Sequence, residues 1–162
     1  QAGNTDPFVL QAPFEDAWWQ LPLSVYAHAS AAHLYGNALV VAVAGGLVSL
    51  SSSRIRFHLF FVATGIVSGA AHVAATAALG EASGVLGASG AAFALAGYVA
   101  TSNPLSSRVL GGASVRVVLA IAAGGALLLT LRSAGANIAN VTHFVGAALG
   151  LVAGHFNLLR AK

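Results

Sequence analysis

Gly87-Ala88-Ser89-Gly90-Ala91-Ala92-Phe93-Ala94-Leu95-Ala96-Gly97-Tyr98 is an unbroken weakly polar to apolar run with a hydroxyl near its start. Runs of this kind dominate the 162-residue chain, which is 57% hydrophobic and only 7% charged, with mean hydropathy +0.83. An ordinary soluble domain carries roughly 25% charged residues, so the composition is that of an integral membrane protein. Working outward from the quoted run, apolar segments are expected near residues 33–51, 57–79, 85–102, 115–131 and 140–159. Each approaches the roughly 20 residues that a spanning helix needs. They are continuously apolar instead of alternating, which favours helices over barrel strands. The expected fold is an all-α, polytopic helical bundle with five transmembrane helices.

Residues 1–32 differ in character. Three of the four acids (Asp6, Glu15, Asp16) lie there with Pro7, Pro13 and Pro22, beside Phe8, Phe14, Trp18, Trp19 and Tyr26. The prolines preclude a long helix, and Trp and Tyr settle where membrane meets water. This segment is expected to be an interfacial first loop, and residues 33–162 the membrane domain. It lacks the pattern of a signal peptide.

With Gln1 outside, Arg54, Arg56, Arg108, Arg116, Arg160 and Lys162 fall on the cytoplasmic side, and all four acids, Glu81 included, fall outside. The positive-inside bias therefore predicts a multi-pass protein of the cell membrane with a cytoplasmic C-terminus. The basic residues are too few and too scattered for a nucleic-acid partner. Without cysteine, disulfides, thiolate metal sites and a thiol nucleophile are excluded. No His-Glu-x2-His helix is present, and no metal or other cofactor is expected. The dominance of Ala, Gly, Val and Arg points to a GC-rich prokaryotic gene.

This topology gives the polar residues a depth. His33 and Asn37, Ser89, and His143 lie near the starts of three segments that all descend from the outer face, in one layer roughly 5–12 Å deep at ~1.5 Å per residue. Hydrogen-bonding groups inside a bilayer are placed to find partners or to do chemistry. His33 and Asn37 are four apart and share a helix face. Gly87, Ala88 and Gly90 leave the Ser89 backbone N–H approachable. His143 shares a face with Gly146 and Gly150, which favours close helix packing. These groups could supply a nucleophile, a base and oxyanion donors. No acid lies within an apolar segment, so packing must orient the imidazole, with Phe93 as the expected stacking surface. His72 and His155 are read as lying off this layer.

His28-x4-His33-x3-Asn37, Gly87-Ala88-Ser89-Gly90 followed by Phe93 and Gly97-Tyr98, and His143-x2-Gly146-x3-Gly150 together resemble the rhomboid family of intramembrane serine proteases. The resemblance runs from the first loop to the C-terminus. It implies that Ser89 is the nucleophile and His143 the general base. It also implies that the Ser89 amide, His33 and Asn37 form the oxyanion hole, and that His28 is structural and helps to hold the first loop. The substrates implied are transmembrane segments of other proteins, cut near the outer face within the lipid bilayer. Family members have six core helices, so a further helix is expected before Gln1. Trp19-Gln20 stands where many members have Trp-Arg, and Phe93 where a tyrosine is frequent. The alternative reading is an inactive rhomboid-like protein that binds membrane helices without cutting them. A histidine-lined transporter and a metalloprotease are weaker rivals, and the sequence leaves the oligomeric state open.

Overall fold

The computed structural model describes residues 7–81, 83–102 and 140–160. The expected segment at 115–131, with Arg108, Arg116 and Arg132, lies outside the described residues. Four helical stretches form the frame beside a short α1 (Gln20–Leu23): α2 (Ala31–Ser49), α3 (Arg54–Ala78), α4 (Ser89–Thr101) and α5 (Asn140–His155). Helices α2 and α3 are long and apolar enough to cross a membrane, and α4 is a shorter apolar helix. Among the described residues there are no strands, only isolated bridges at Leu10–Val85 and Ser52–Arg160.

Local chemistry sets the helix ends. Ser30 Oγ accepts from the His33 N–H (3.2 Å) and Ser53 Oγ from the Arg56 N–H (3.3 Å). Each cap satisfies one orphan donor and is worth about 1 kcal/mol. Helix α3 stops where Gly80 adopts φ 78°, and its end is closed by Gly80 N–H to Ala77 O and Glu81 N–H to Thr76 O. Asn157, at φ 52°, does the same after α5, with Asn157 N–H bonded to Gly154 O and Leu158 N–H to Ala153 O. Both are Schellman closures, in which a left-handed residue satisfies the last carbonyls. The helix expected to run to 159 therefore ends at His155.

The segment expected from 85 becomes helical only at Ser89. Val85 exchanges two backbone hydrogen bonds with Leu10, both 2.9 Å, and Gly87 has φ 121°, a value incompatible with a helix. Four residues that looked like the top of a span are instead a non-helical lead-in to Ser89. Helix α2 also departs from regularity, with a π turn at Val41–Gly45.

Helix α4 is the centre of the bundle. Ala91, Ala94, Leu95 and Tyr98 are completely buried. Helix α5 lies directly on it: a Cβ at Gly146 would collide with the Gly90 carbonyl, one at Gly150 with that of Ala94, and one at Gly154 with that of Tyr98. The same seam is matched from the other side, where a Cβ at Gly97 would sit 2.6 Å from the Ala147 carbonyl oxygen. Small residues four apart bring the two backbones together, as membrane helices allow when neither presents side-chain bulk. Helix α3 packs against both α4 and α5, with Ser68 against Gly90 and Phe60 edge-on to Tyr98. Above it, Leu10, Val73 and Val85 form a small separate core with Phe14 and Leu21. That core anchors the first loop while Phe8, Trp18, Trp19 and Tyr26 remain exposed.

Candidate active site

Ser89 is the first residue of α4 and is buried, with 6% of its surface accessible. The first rung of the helix runs from Ala92 N–H to Ala88 O (2.8 Å), so the amides of Ser89, Gly90 and Ala91 have no rung of their own. Ala88 contributes no capping side chain. The start of α4 is thus a set of backbone donors at the positive end of a helix dipole, an arrangement suited to negative charge.

The first loop fixes this lead-in. Gly87 N–H donates to Ser24 O at 2.8 Å, and Ala88 N–H lies 3.5 Å from His28 Nε2. His28 Nδ1 is 3.1 Å from Tyr26 O. An Nδ1–H donating to that carbonyl leaves Nε2 free to accept from Ala88, so both contacts fit one neutral tautomer. His28 and His33 meet edge-to-face, with ring centroids 5.1 Å apart.

From the side of α2, His33 and Asn37 converge on Gly87. A Cβ at Gly87 would lie 2.6 Å from His33 Cε1, 2.9 Å from His33 Nε2 and 3.5 Å from Asn37 Nδ2. Only glycine meets both the positive φ and this close approach. Asn37 Nδ2 is buried and has no partner among the described residues. From the side of α5, the His143 ring stacks on Phe93 with centroids 4.7 Å apart and planes 20° apart. His143 Nδ1 is buried without a partner among the described residues.

Three helices and a loop thus surround Ser89, and their order along the chain matches a known pattern. The family model described as Rhomboid domain matches residues 15–160. The chain belongs to the rhomboid family. A comparison with curated proteins returns no significant match. Family membership makes this a helical membrane protein of an intramembrane-protease-like family.

Set beside the sequence expectations for a rhomboid, the structure brings His28, His33, Asn37, Gly87 and Ala88 together around the start of α4, and it stacks Phe93 on His143. Gly90, Gly146 and Gly150 are all at close helix contacts. Ser89 and His143 belong to directly packed helices, yet no hydrogen bond joins their side chains in this conformation. Catalytic hydrogen bonds are often long or absent before substrate binds.

The depth assigned to His72 needs correction. Ser68 faces Gly90, and His72 is one turn further along α3, within a turn of the level of Ser89. It is buried, with Nε2 3.3 Å from Ser83 Oγ, just before the lead-in. Counting depth along the ascending segment as well as the descending ones would have found it. Thr142 was also missed: its hydroxyl is buried without a partner among the described residues, and its methyl would lie 3.0 Å from a Cβ at Gly90. Threonine before the histidine carries no motif, so nothing in the sequence pointed to it.

Proposed function

We propose that this rhomboid is an intramembrane serine endopeptidase that cuts transmembrane segments of other membrane proteins near the outer face of the cell membrane. The observation that carries the reading is the convergence of His33 and Asn37 on Gly87, two residues before Ser89. A hydroxyl at a helix start, flanked by side-chain and backbone donors, is what acyl transfer needs at the atom where charge develops.

In this reading His143 takes the Ser89 proton as Oγ attacks the scissile carbonyl, and returns it to the leaving amine. Water then hydrolyses the acyl-enzyme with His143 again as base. Burial of Nδ1 favours Nε2 as the working nitrogen. The Ser89 N–H, His33 and Asn37 Nδ2 receive the oxyanion. Phe93 orients the imidazole by stacking, a part that a carboxylate fills in a triad. The arginine distribution supports a multi-pass topology with the C-terminus in the cytoplasm and residues 1–32 as an interfacial loop.

The test is cleavage of a model transmembrane substrate by the membrane-reconstituted protein. Ser89→Ala and His143→Ala are each expected to lower turnover by roughly 10⁴-fold or more, and a fluorophosphonate probe should label wild type and not Ser89→Ala. Turnover by Ser89→Ala at the wild-type rate would sink the mechanism. Absence of both cleavage and labelling in wild type would point to the alternative, an inactive rhomboid-like helix binder.

A further inference from the structure

The end of the bundle opposite Ser89 is built from the start of α3 and the residues after α5. Ser52 and Arg160 form an antiparallel bridge, and Arg56 Nη1 donates to the Arg160 carbonyl. Just above, Ser102 Oγ is 3.0 Å from Asn157 Oδ1, and the Leu159 N–H donates to the buried Tyr98 hydroxyl at 3.2 Å. These contacts place Arg56 beside Arg160, and Arg54 begins α3 at the same end of the bundle. All three are exposed. The guanidinium groups of Arg54 and Arg160 have no partner among the described residues.

No acid can neutralise this edge locally. The sequence has no Asp or Glu between Asp16 and Glu81 or after Glu81. The edge also coincides with the N-terminus of the 25-residue α3, whose dipole adds positive potential at the same place. Arg54 is 14 residues before Ser68, the residue level with Gly90, so the cluster lies about 21 Å from the candidate active site at 1.5 Å per residue.

The surroundings identify the partner. Leu50, Ile55, Leu59, Phe156 and Leu158 are each at least 60% exposed next to the arginines. A soluble anion or a nucleic acid would gain nothing from them. A phospholipid would use both parts, with its phosphate on the arginines and its acyl chains along the apolar side chains. We propose that Arg54, Arg56 and Arg160 form a binding site for the headgroup of an anionic phospholipid. In the topology proposed above this is the cytoplasmic leaflet, where anionic lipids concentrate. The site itself does not depend on the protease reading.

Native mass spectrometry of the full chain, released from detergent micelles doped with phosphatidylglycerol, tests this. Wild type is expected to retain phosphatidylglycerol about tenfold or more better than Arg54→Gln/Arg160→Gln, since each basic residue near a membrane surface contributes to anionic-lipid affinity. Neither substitution removes an intramolecular side-chain bond, and thermal unfolding confirms that the variant is folded. The Arg54→Lys/Arg160→Lys protein, which keeps both charges, should recover most of the retention. Ser89→Ala should bind as wild type, so loss of lipid binding and loss of cleavage are separable results. Equal retention by wild type and the Gln variant overturns the proposal. So does equal retention of phosphatidylcholine, and so does displacement of the lipid by inorganic phosphate, which would mark a soluble-anion site.

Discussion

The two sides of the candidate site are built in opposite ways. Between α4 and α5, carbonyls of Gly90, Ala94 and Tyr98 occupy the places where side chains on the facing helix would be. In α2, residues Ala31–Val40 include none that is buried, and Leu34, Tyr35 and Leu39 are exposed. The proposed nucleophile and base thus ride on a seam that allows no relative movement without steric overlap. The proposed side-chain oxyanion donors, His33 and Asn37, ride on a helix with few buried residues. A tight seam fixes the Phe93–His143 stack, whereas α2 is located mainly by what it touches at Gly87, at Ala44 and Gly45 in the π turn, and at Val48 after it.

Gly150→Val is the strongest way to break the contrast. Its side chain would enter the Ala94 carbonyl, and overpacking of this severity costs about 3 kcal/mol or more. Detergent-solubilised protein should lose both its unfolding transition and all cleavage; a folded, active variant would show that the seam is not close-packed. Gly87→Ala comes next. A Cβ there meets His33 and is strained at φ 121°, so cleavage should fall by ~10²-fold or more with a stability loss of about 1–2 kcal/mol. Wild-type kinetics would mean that His33 is not held against Gly87.

Asn37→Ala sharpens the comparison from the other side. Because Nδ2 has no partner among the described residues, unfolding should shift by less than about 0.5 kcal/mol, whereas kcat should fall by ~10²-fold. A large stability loss with unchanged kcat would make Asn37 a packing residue. The smallest effect is expected for Tyr98→Phe, which removes the hydroxyl that receives the Leu159 N–H. It should cost about 1 kcal/mol in thermal unfolding and leave kcat unaltered. A change in kcat there would mean that the inner end communicates with the outer one.

Much of this architecture could be read from residue type and spacing because the bilayer leaves few options. The apolar runs followed from length, and the expectation that His33, Asn37, Ser89 and His143 share one layer followed from topology. The Gly146/Gly150 spacing was legible as close packing for the same reason. Failures came where tertiary contacts override a one-dimensional pattern. Val85 and Leu86 are as apolar as any helix residue, but pairing with Leu10, 75 positions earlier, and the conformation of Gly87 remove them from α4. His72 looked isolated because its partner, Ser83, lies across a turn. Thr142 packs at Gly90 on a neighbouring helix, a contact that no sequence spacing announces.

The Leu10–Val85 bridge and the Gly90–Gly146 contact also impose an order on biogenesis. A chain delivered to the membrane from its N-terminus places Ser89 more than fifty residues ahead of the imidazole that stacks on Phe93. On the mechanism proposed above, the serine stands at the head of its helix without His143 until α5 arrives. Insertion of the last helix is then the step that completes the Ser89–His143 pair.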